Sequence, residues 1–272
     1  MDDPNSLFSL GAARRLAGHT HRMARAEEQL VYRLSEPRTR GLRAWEYGVL
    51  LGYLQQAGPR PATALDVGSG NSAFPRYLAR SRAVGSMTVL DLPEAFEARD
   101  EGWERNRRHG VGFMPGSMTE IPSPADRFDL VTSISAIEHL DGHAAAWRRD
   151  PEGHPRASYE AFVANTRTAL REMVRVLRPG GTLFVTSDAY LADLQRGDNW
   201  MKAGGPGEIW SAYRFEDIEG VFVRTLTDEG LVLVGEPGFD RGSLEADATH
   251  STYRGRYFTT FAVLGTLSCA PG

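Results

Sequence analysis

The sequence contains little cysteine and no long hydrophobic run. Cys269 is the one cysteine among 272 residues, so the chain cannot form an internal disulfide and a cysteine-based metal site is disfavoured. No segment reaches the roughly 18 consecutive apolar residues of a membrane-spanning helix. The first residues, MDDPNSLFSLGAARR, have no continuous apolar core, and we expect no signal peptide there. These absences predict a protein of the reducing cytoplasm that does not contact a membrane.

A surplus of positive charge is also absent. The chain has 31 basic and 35 acidic residues, with a formal net charge of −4, which disfavours nucleic acid as a partner. Hydrophobic residues make up 41% of the chain, enough for a sizeable core. We therefore expect a globular protein whose partner is not a nucleic acid. The sequence is also compatible with a homodimer.

Short apolar strands alternate with helical segments from residue 63 onward. The predicted strands are residues 63–67, 87–91, 111–114, 128–135 and 182–187. The predicted helices between them are residues 73–80, 94–109 and 159–177. This alternation indicates βαβ units, and hence an α/β fold with a parallel sheet covered by helices on both faces.

The two ends of the chain differ from this pattern. Residues 1–61 are predicted to form a helical N-terminal cap, since Met23, Ala26, Leu30 and Leu34 recur at helical spacing and a second helix is expected from about Trp45. Residues 62–272 then form the core domain. Two late strands, 231–236 and 257–268, have no clear helix between them and predict an antiparallel pair at or near the sheet edge.

The stretch ALDVGSGNSAF, residues 64–74, runs from a predicted strand into two glycines. Glycine permits a sharp turn and a close approach by a ligand, and Asp91, about twenty residues later, could accept hydrogen bonds from a ribose diol. The pattern also occurs in dinucleotide-binding dehydrogenases and in plain structural turns. Asp66 favours a different ligand, because its carboxylate would repel a pyrophosphate but attract an ammonium group.

Four segments together resemble the class I S-adenosylmethionine-dependent methyltransferases, in particular the broad group that acts on small molecules. They are ALDVGSGNSAF (64–74), TVLDLPEAF (88–96), DRFDLVTSISAIEHL (126–140) and REMVRVLRPGGTLFVTSD (171–188). Their order and spacing agree with that family across about 62–267. The resemblance implies a Rossmann-like, doubly wound, mostly parallel seven-stranded sheet with an antiparallel last strand.

The resemblance also implies which residues bind the cofactor, S-adenosylmethionine. Asp91 would hold the ribose hydroxyls and Leu92 would lie against the adenine. The residues implied around the methionine part and the sulfonium are Asp66, Gly68, Ser69 and Gly70. The family often has an acid after the third strand, where this chain has Ser117 and Met118, so adenine recognition would fall to the Ser117 hydroxyl and the Met118 backbone.

Ser135 and Ala136, which follow the fourth strand, are implied to lie next to the transferred methyl group. Three nearby side chains are candidate general bases: His139, Glu138 and His143. The alternative for His139 is a structural histidine near the cofactor or in the core. The alternating HLDGH segment, residues 139–143, could also bind a metal, but a solvated loop is the simpler interpretation and we expect no metal.

Aromatic residues on both sides of the core domain are candidates for the acceptor pocket. Trp45 and Tyr47 would wall the pocket from the cap, or else simply pack in the core. Tyr190, Trp200 and Trp210 would line it from a glycine-rich loop, or else anchor that loop to the surface. A row of cap arginines, among them Arg14 and Arg43, could receive an anionic substrate, but the solvated face of two helices is the simpler explanation and the one we favour.

We therefore predict a cytoplasmic methyltransferase of small-molecule biosynthesis. It would move a methyl group from S-adenosylmethionine to an oxygen or nitrogen of a small-molecule acceptor and leave S-adenosylhomocysteine. Two alternatives stay open. One is a nicotinamide-dependent oxidoreductase, which Asp66 disfavours. The other is an S-adenosylmethionine-binding regulatory protein without activity, which the absence of an unambiguous base allows.

Overall fold

A computed structural model describes twelve segments of the chain: residues 4–8, 11–16, 18, 42–70, 72–97, 101–140, 159–190, 201–203, 209–211, 213–240, 252–253 and 256–269. The strands are β1 (Thr63–Val67), β2 (Ser86–Asp91), β3 (Gly112–Pro115), β4 (Phe128–Ile134), β5 (Leu177–Tyr190), β6 (Met201–Ala203), β7 (Ile209–Ser211), β8 (Tyr213–Arg214), β9 (Leu231–Leu233), β10 (Thr252–Tyr253) and β11 (Arg256–Leu267).

The α-helices are α1 (Leu42–Leu54), α2 (Phe74–Arg80), α3 (Pro93–Glu97), α4 (Glu101–Arg108), α5 (Tyr159–Val176) and α6 (Arg224–Asp228). A short 3-10 turn spans Ile137–His139, and a π-helical segment, Ile218–Val223, precedes α6. None of these described helices has the length and apolar character needed to cross a bilayer. The predicted helix around Met23 to Leu34 lies outside the described residues.

The main sheet has the strand order β10-β11-β5-β4-β1-β2-β3, with β8 beside β5 and β9 beside β11. Strands β1 to β5 pair in parallel, and β11 runs antiparallel to both β5 and β9. The predicted α/β fold, with a mostly parallel sheet and an antiparallel late strand, is confirmed.

Both faces of the sheet are buried, which explains why its strands are almost continuously apolar. Successive side chains of a strand point to opposite faces. Leu65 accordingly joins the hydrophobic cluster that includes Phe162 and Met173 of α5, whereas its neighbour Ala64 joins the cluster that includes Phe74 and Leu78 of α2. Helices therefore cover the sheet on two sides, and its strand ends are where a site can form.

The segment Arg178–Gly181 contains one proline and two glycines, a composition typical of a helix stop followed by a tight turn. Helix α5 does stop, at Val176. Strand β5 begins at once, however, and its pairing with β4 passes from Phe128–Leu177 to Leu130–Thr182. Four residues of β5 thus lie opposite one residue of β4, a bulge. Gly180 accommodates it with φ 77°, a backbone angle that glycine adopts without strain.

The start of the chain corrects the prediction of an all-helical cap. Residues 11–16 are helical, but residues 4–8 are not, because their backbone pairs with β11. Phe8 N–H donates to Thr260 O (2.7 Å), and Ala262 N–H donates to Ser6 O (2.9 Å). This segment occupies the stretch of the β11 edge between β10 and β9. It therefore shields backbone groups that would otherwise form an open edge.

Asn5 fixes this N-terminal segment with its side chain. The residue is fully buried, its Nδ2 donates to Val234 O (2.8 Å), and its Oδ1 accepts from Leu264 N–H (2.7 Å). Two backbone groups of the sheet edge thus depend on one amide side chain.

Asn5→Ala should lower the free energy of unfolding by about 2–4 kcal/mol, because it leaves both buried backbone groups without a partner. Urea unfolding followed by circular dichroism measures the change. Val232→Ala at an exposed position serves as the control and should stay within about 0.5 kcal/mol of wild type. Equal stability of Asn5→Ala and wild type would show that the segment does not support the sheet.

Candidate active site

The two glycines after β1 form a left-handed turn at the carboxyl edge, the edge of the sheet at which β1, β2, β4 and β5 end. Gly68 has φ 73° and Gly70 has φ 51°, values that disfavour any residue with a side chain. Gly68 N–H donates to Leu90 O (2.8 Å), and Gly70 N–H donates to the Asp91 carboxylate (2.8 Å). The sequence forms this turn because both positions lack a Cβ.

The space around the two glycines differs. A Cβ on Gly68 would lie 2.7 Å from Ala136 Cβ and 3.2 Å from Met118 Cε, whereas a Cβ on Gly70 would meet no described atom within 4 Å. Gly68 is therefore packed against the loops that follow β3 and β4. Gly70 faces open space, into which a ligand can approach the backbone.

Asp91 lies at the end of β2 and holds this turn with both carboxylate oxygens. Oδ2 accepts from Gly70 N–H and Oδ1 accepts from Leu92 N–H, each at 2.8 Å. A carboxylate has about four acceptor positions, so each oxygen can accept one further hydrogen bond. The half-buried Asp91 can therefore orient the glycine turn and bind a diol at the same time.

Asp66 is a buried acid at the end of β1. Its side chain is only 5% exposed, and Oδ1 accepts a hydrogen bond from Thr132 Oγ1 of β4 (2.5 Å). Burial raises the pKa of Asp66 to about 6; the Thr132 and Ser69 hydroxyls oppose this shift, and the nearby Asp91 carboxylate adds to it. A cationic ligand beside Asp66 would relieve the cost of its charge.

A buried polar network lies next to the glycine turn. It was not predicted from the sequence. Arg76 Nη1 donates to Asn106 Oδ1 (2.8 Å), and Asn106 Nδ2 donates to the carbonyl of Ser72 (3.0 Å). Arg76 is 2% exposed and Asn106 is fully buried. The network thus links α2 and α4 to the backbone of Ser72, which follows the glycine turn.

The loop after β3, which carries Ser117 and Met118, lies beside Asp91. Gly116 N–H donates to Asp91 O (2.9 Å). The Ser117 hydroxyl, however, is engaged within its own loop: it contacts the Thr119 hydroxyl (2.8 Å) and accepts from Thr119 N–H (3.2 Å). Recognition of adenine by the Ser117 hydroxyl therefore stays a prediction and would require it to share these bonds.

The turn after β4 contains a further left-handed residue, Ser135, with φ 44°. Its hydroxyl donates to Glu46 Oε1 of α1 (2.6 Å), and its backbone N–H donates to the Thr186 hydroxyl (3.0 Å) and carbonyl (3.1 Å). The adjacent Ala136 lies close to Gly68, since a Cβ on Gly68 would be 2.7 Å from Ala136 Cβ. The structure thus brings the predicted residues Ser135 and Ala136 to the glycine turn, and it adds Glu46, which sequence reasoning passed over.

Glu138 and His139 lie on the 3-10 turn that continues from Ala136. Glu138 is 3% exposed and its Oε2 accepts from Ser187 Oγ (2.9 Å). Burial and the nearby Asp188 carboxylate raise the pKa of Glu138 to about 8. His139 is half-buried, and its N–H donates to Ala136 O (2.9 Å). Of the two, Glu138 has the environment of a group that could hold a proton near neutral pH.

The two aromatic residues predicted to wall the pocket from α1 are packed in the core. Trp45 is fully buried and meets Phe8 edge to face at a ring distance of 5.7 Å. Tyr47 stacks on Phe74 at 4.1 Å. Contact of Trp45 or Tyr47 with a substrate stays a prediction, and it would require these rings to become accessible.

The glycine-rich segment expected to be a loop contains two short strands. Strands β6 and β7 pair antiparallel, with Lys202 opposite Trp210, and β7 contacts the 3-10 turn Ile137–His139. Trp210 thus lies on a strand next to the site, although its side chain and that of Tyr190 are outside the described part of the structure.

Tyr213, which follows this segment, is fully buried and hydrogen-bonds the Thr166 hydroxyl (3.0 Å) and Ile137 O (3.3 Å). His143 and Trp200 lie outside the described residues. Among the described residues, no group of three or more His, Cys, Asp or Glu side chains could hold a metal ion.

This arrangement fits S-adenosylmethionine better than a dinucleotide. Asp66 and Asp91 place two acids around an open glycine turn, which suits a ligand with a positive charge and a ribose diol. A diphosphate at the same turn would lie against both carboxylates. The residues that the resemblance implied for the cofactor converge at one edge of the sheet because β1, β2 and β4 pair in parallel; their contact with the ligand stays a prediction.

Asp66→Asn should be more stable than wild type at alkaline pH. Because the pKa of Asp66 in the fold is above its ordinary value of 3.8, its contribution to stability is fully present below about pH 4 and is lost as the pH rises through about 6. The variant cannot ionise, so we expect a gain of about 3 kcal/mol at pH 8 that disappears near pH 4. Urea unfolding at both pH values tests this, and a variant less stable than wild type at pH 8 would contradict it.

Comparison with known proteins agrees with this geometry. Residues 65–149 match the family model described as a methyltransferase domain. An O-methyltransferase of Methylococcus capsulatus, named for malonyl-acyl-carrier protein, is 28% identical over 148 residues, which are 54% of this chain and 45% of that protein. An uncharacterized methyltransferase of Schizosaccharomyces pombe is 27% identical over 124 residues, or 43% of this chain and 36% of the relative. The matches thus span less than half the length of these two relatives.

Solved structures share the fold. The cyclase SpnF superposes with a TM-score of 0.53 at 17% identity, over 85% of this chain and 83% of its own. A methyltransferase dependent on S-adenosylmethionine, from Methanosarcina mazei, superposes with a TM-score of 0.51 at 15% identity, over 78% of this chain and 95% of its own. The resemblance noted in the sequence is confirmed as far as it concerns these features: residues 65–149 match a methyltransferase domain, and the chain has the fold of the class I S-adenosylmethionine-dependent methyltransferases.

Proposed function

We propose that this protein transfers a methyl group from S-adenosylmethionine to an oxygen or nitrogen atom of a small-molecule acceptor, as a step of biosynthesis. The observation that carries the proposal is the pair of acids, Asp66 and Asp91, on either side of a glycine turn with open space at Gly70. The methyltransferase relatives support the reaction type, and the acidic balance of the chain supports an acceptor other than nucleic acid.

The cofactor, when bound, supplies a methyl carbon that is already activated by a sulfonium. The chain's part is to orient it. Asp91 would accept hydrogen bonds from the ribose hydroxyls while it holds Gly70 N–H. Ionised Asp66 would attract the positive part of the ligand, and Leu92 would pack against the base. Orientation of two reactants alone can lower a barrier by about 7–11 kcal/mol.

Glu138 is the group that we favour as proton acceptor. An acceptor hydroxyl or ammonium loses a proton when it is methylated, and a carboxylate with a raised pKa can hold that proton. Glu138 follows Ala136 by two residues and has its pKa raised to about 8 by burial and Asp188. His139, on the same turn, and His143 are the other candidates. Activity that depends on Glu138 should rise with pH through about 8, because only the ionised carboxylate accepts a proton.

A second function, cofactor binding without methyl transfer, is supported by the burial of Glu138. The side chain is 3% exposed and hydrogen-bonded to Ser187, so an acceptor reaches it only if the surrounding residues move. The fold is compatible with more than one reaction, since SpnF is named as a cyclase.

Calorimetry and a product assay separate these functions. We expect S-adenosylmethionine and S-adenosylhomocysteine to bind with micromolar or better affinity and a reduced nicotinamide dinucleotide not to bind. Incubation with hydroxyl- and amine-containing small molecules should then release S-adenosylhomocysteine. Binding without turnover on any acceptor class would favour the second function. Preferential binding of the dinucleotide would refute the proposal.

Asp91→Ala should weaken the binding of S-adenosylhomocysteine at least tenfold. The substitution removes charge-assisted hydrogen bonds to the ribose, each worth about 1.5–3 kcal/mol, and it also releases Gly70 N–H. Calorimetry measures the loss, with Asp228→Ala, an exposed acid on α6, as the control that keeps wild-type affinity. An Asp91→Ala protein that is folded and binds normally would remove Asp91 from the site.

A further inference from the structure

Glu46 is a fully buried carboxylate on α1 that reaches across to the ends of β4 and β5. Its Oε1 accepts hydrogen bonds from Ser135 Oγ (2.6 Å) and Thr186 Oγ1 (2.5 Å), and its Oε2 accepts from Arg43 Nη1 (2.9 Å). A buried charge is tolerated only when it is paired and hydrogen-bonded. Glu46 meets both conditions, and two of its three donors belong to the sheet edge that carries the site.

The serine that Glu46 holds has an unfavourable backbone. At φ 44°, Ser135 is in the left-handed region, which a residue with a side chain occupies only when its surroundings impose it. Thr186 contributes to the same restraint, because its hydroxyl accepts from Ser135 N–H (3.0 Å) while donating to Glu46. The next residue, Ala136, packs so closely on Gly68 that a Cβ on the glycine would lie 2.7 Å from it. The conformation of Ser135 therefore sets the position of Ala136 over the glycine turn.

We propose that Glu46 is a positioning residue for the cofactor: it holds Ser135 in the left-handed conformation and thereby keeps Ala136 against Gly68. Helix α1 then belongs to the machinery of the site, since it shapes the glycine turn without touching the ligand. The inference rests on the proposed function, in which that turn binds S-adenosylmethionine.

Glu46→Gln and Ser135→Gly together test the role. Glutamine keeps the size of Glu46 but loses the charge that pairs with Arg43, so Ser135 should relax and the Kd for S-adenosylhomocysteine should rise about tenfold, or about 1.4 kcal/mol. Glycine adopts a positive φ without strain. Adding Ser135→Gly to Glu46→Gln should therefore restore the Kd to within about threefold of wild type, a rescue that a merely structural role of Glu46 would not give.

Asp126→Gly is the matched control for this rescue. Asp126 also has a positive φ, 56°, but it is exposed in the loop before β4, so the same relief of strain there should leave the Kd of Glu46→Gln unchanged. If Glu46→Gln does not fold, Thr186→Val replaces it in the test. This variant lacks the hydroxyl that joins Glu46 to Ser135 N–H, so we expect the same rise in Kd and the same rescue by Ser135→Gly. Wild-type affinity in these variants, or no rescue by Ser135→Gly, would overturn the inference.

Urea unfolding without cofactor keeps the inference separate from the proposed function. In wild type, Ser135→Gly should lower the unfolding midpoint, because the hydrogen bond between Ser135 and Glu46 is lost. In Glu46→Gln, the same substitution should raise the midpoint, because glycine adopts the left-handed conformation without strain. A wild-type protein that binds neither S-adenosylmethionine nor S-adenosylhomocysteine contradicts the proposed function. If Ser135→Gly shifts the unfolding midpoint equally in wild type and in Glu46→Gln, Glu46 does not hold Ser135 in its left-handed conformation.

Discussion

The electrostatic cost of Asp66 is the constraint on which the site depends. A carboxylate that is 5% exposed favours its neutral form, and a second acid, Asp91, raises that cost further. The fold retains both acids, although an uncharged residue would suit the core better. Such a local loss of stability is expected where a ligand of opposite charge compensates it. The acids therefore favour a positively charged ligand, and we propose that it lies in the open space at Gly70.

The architecture supports these two acids from several sides. Parallel pairing brings the ends of β1, β2 and β4 to one edge. The network of Arg76 and Asn106 binds the carbonyl of Ser72, next to the glycine turn, and Glu46 of α1 binds the turn after β4 through the Ser135 hydroxyl. The N-terminal segment, which pairs with β11, places Phe8 against Trp45 of the same helix. Residues that are far apart in the chain thus hold the backbone of the two turns at the site, one after β1 and one after β4.

The sequence was sufficient for the parts of the site that depend on local spacing. Gly68, Gly70 and Asp91 could be predicted because a strand, a glycine turn and a second strand recur at fixed distances. Glu46 could not, since its partners Ser135 and Thr186 are 89 and 140 residues away and an acid on an amphipathic helix usually faces solvent.

The extended residues 4–8 were missed for the same reason, because they pair with β11 at the far end of the chain. The most direct measurement of the central claim is a crystal structure of the protein with S-adenosylhomocysteine. We expect the ribose hydroxyls within hydrogen-bonding distance of Asp91 and the amino group on the side of Asp66, over Gly70. A nucleoside bound elsewhere, with water or a phosphate at the glycine turn, would contradict the account.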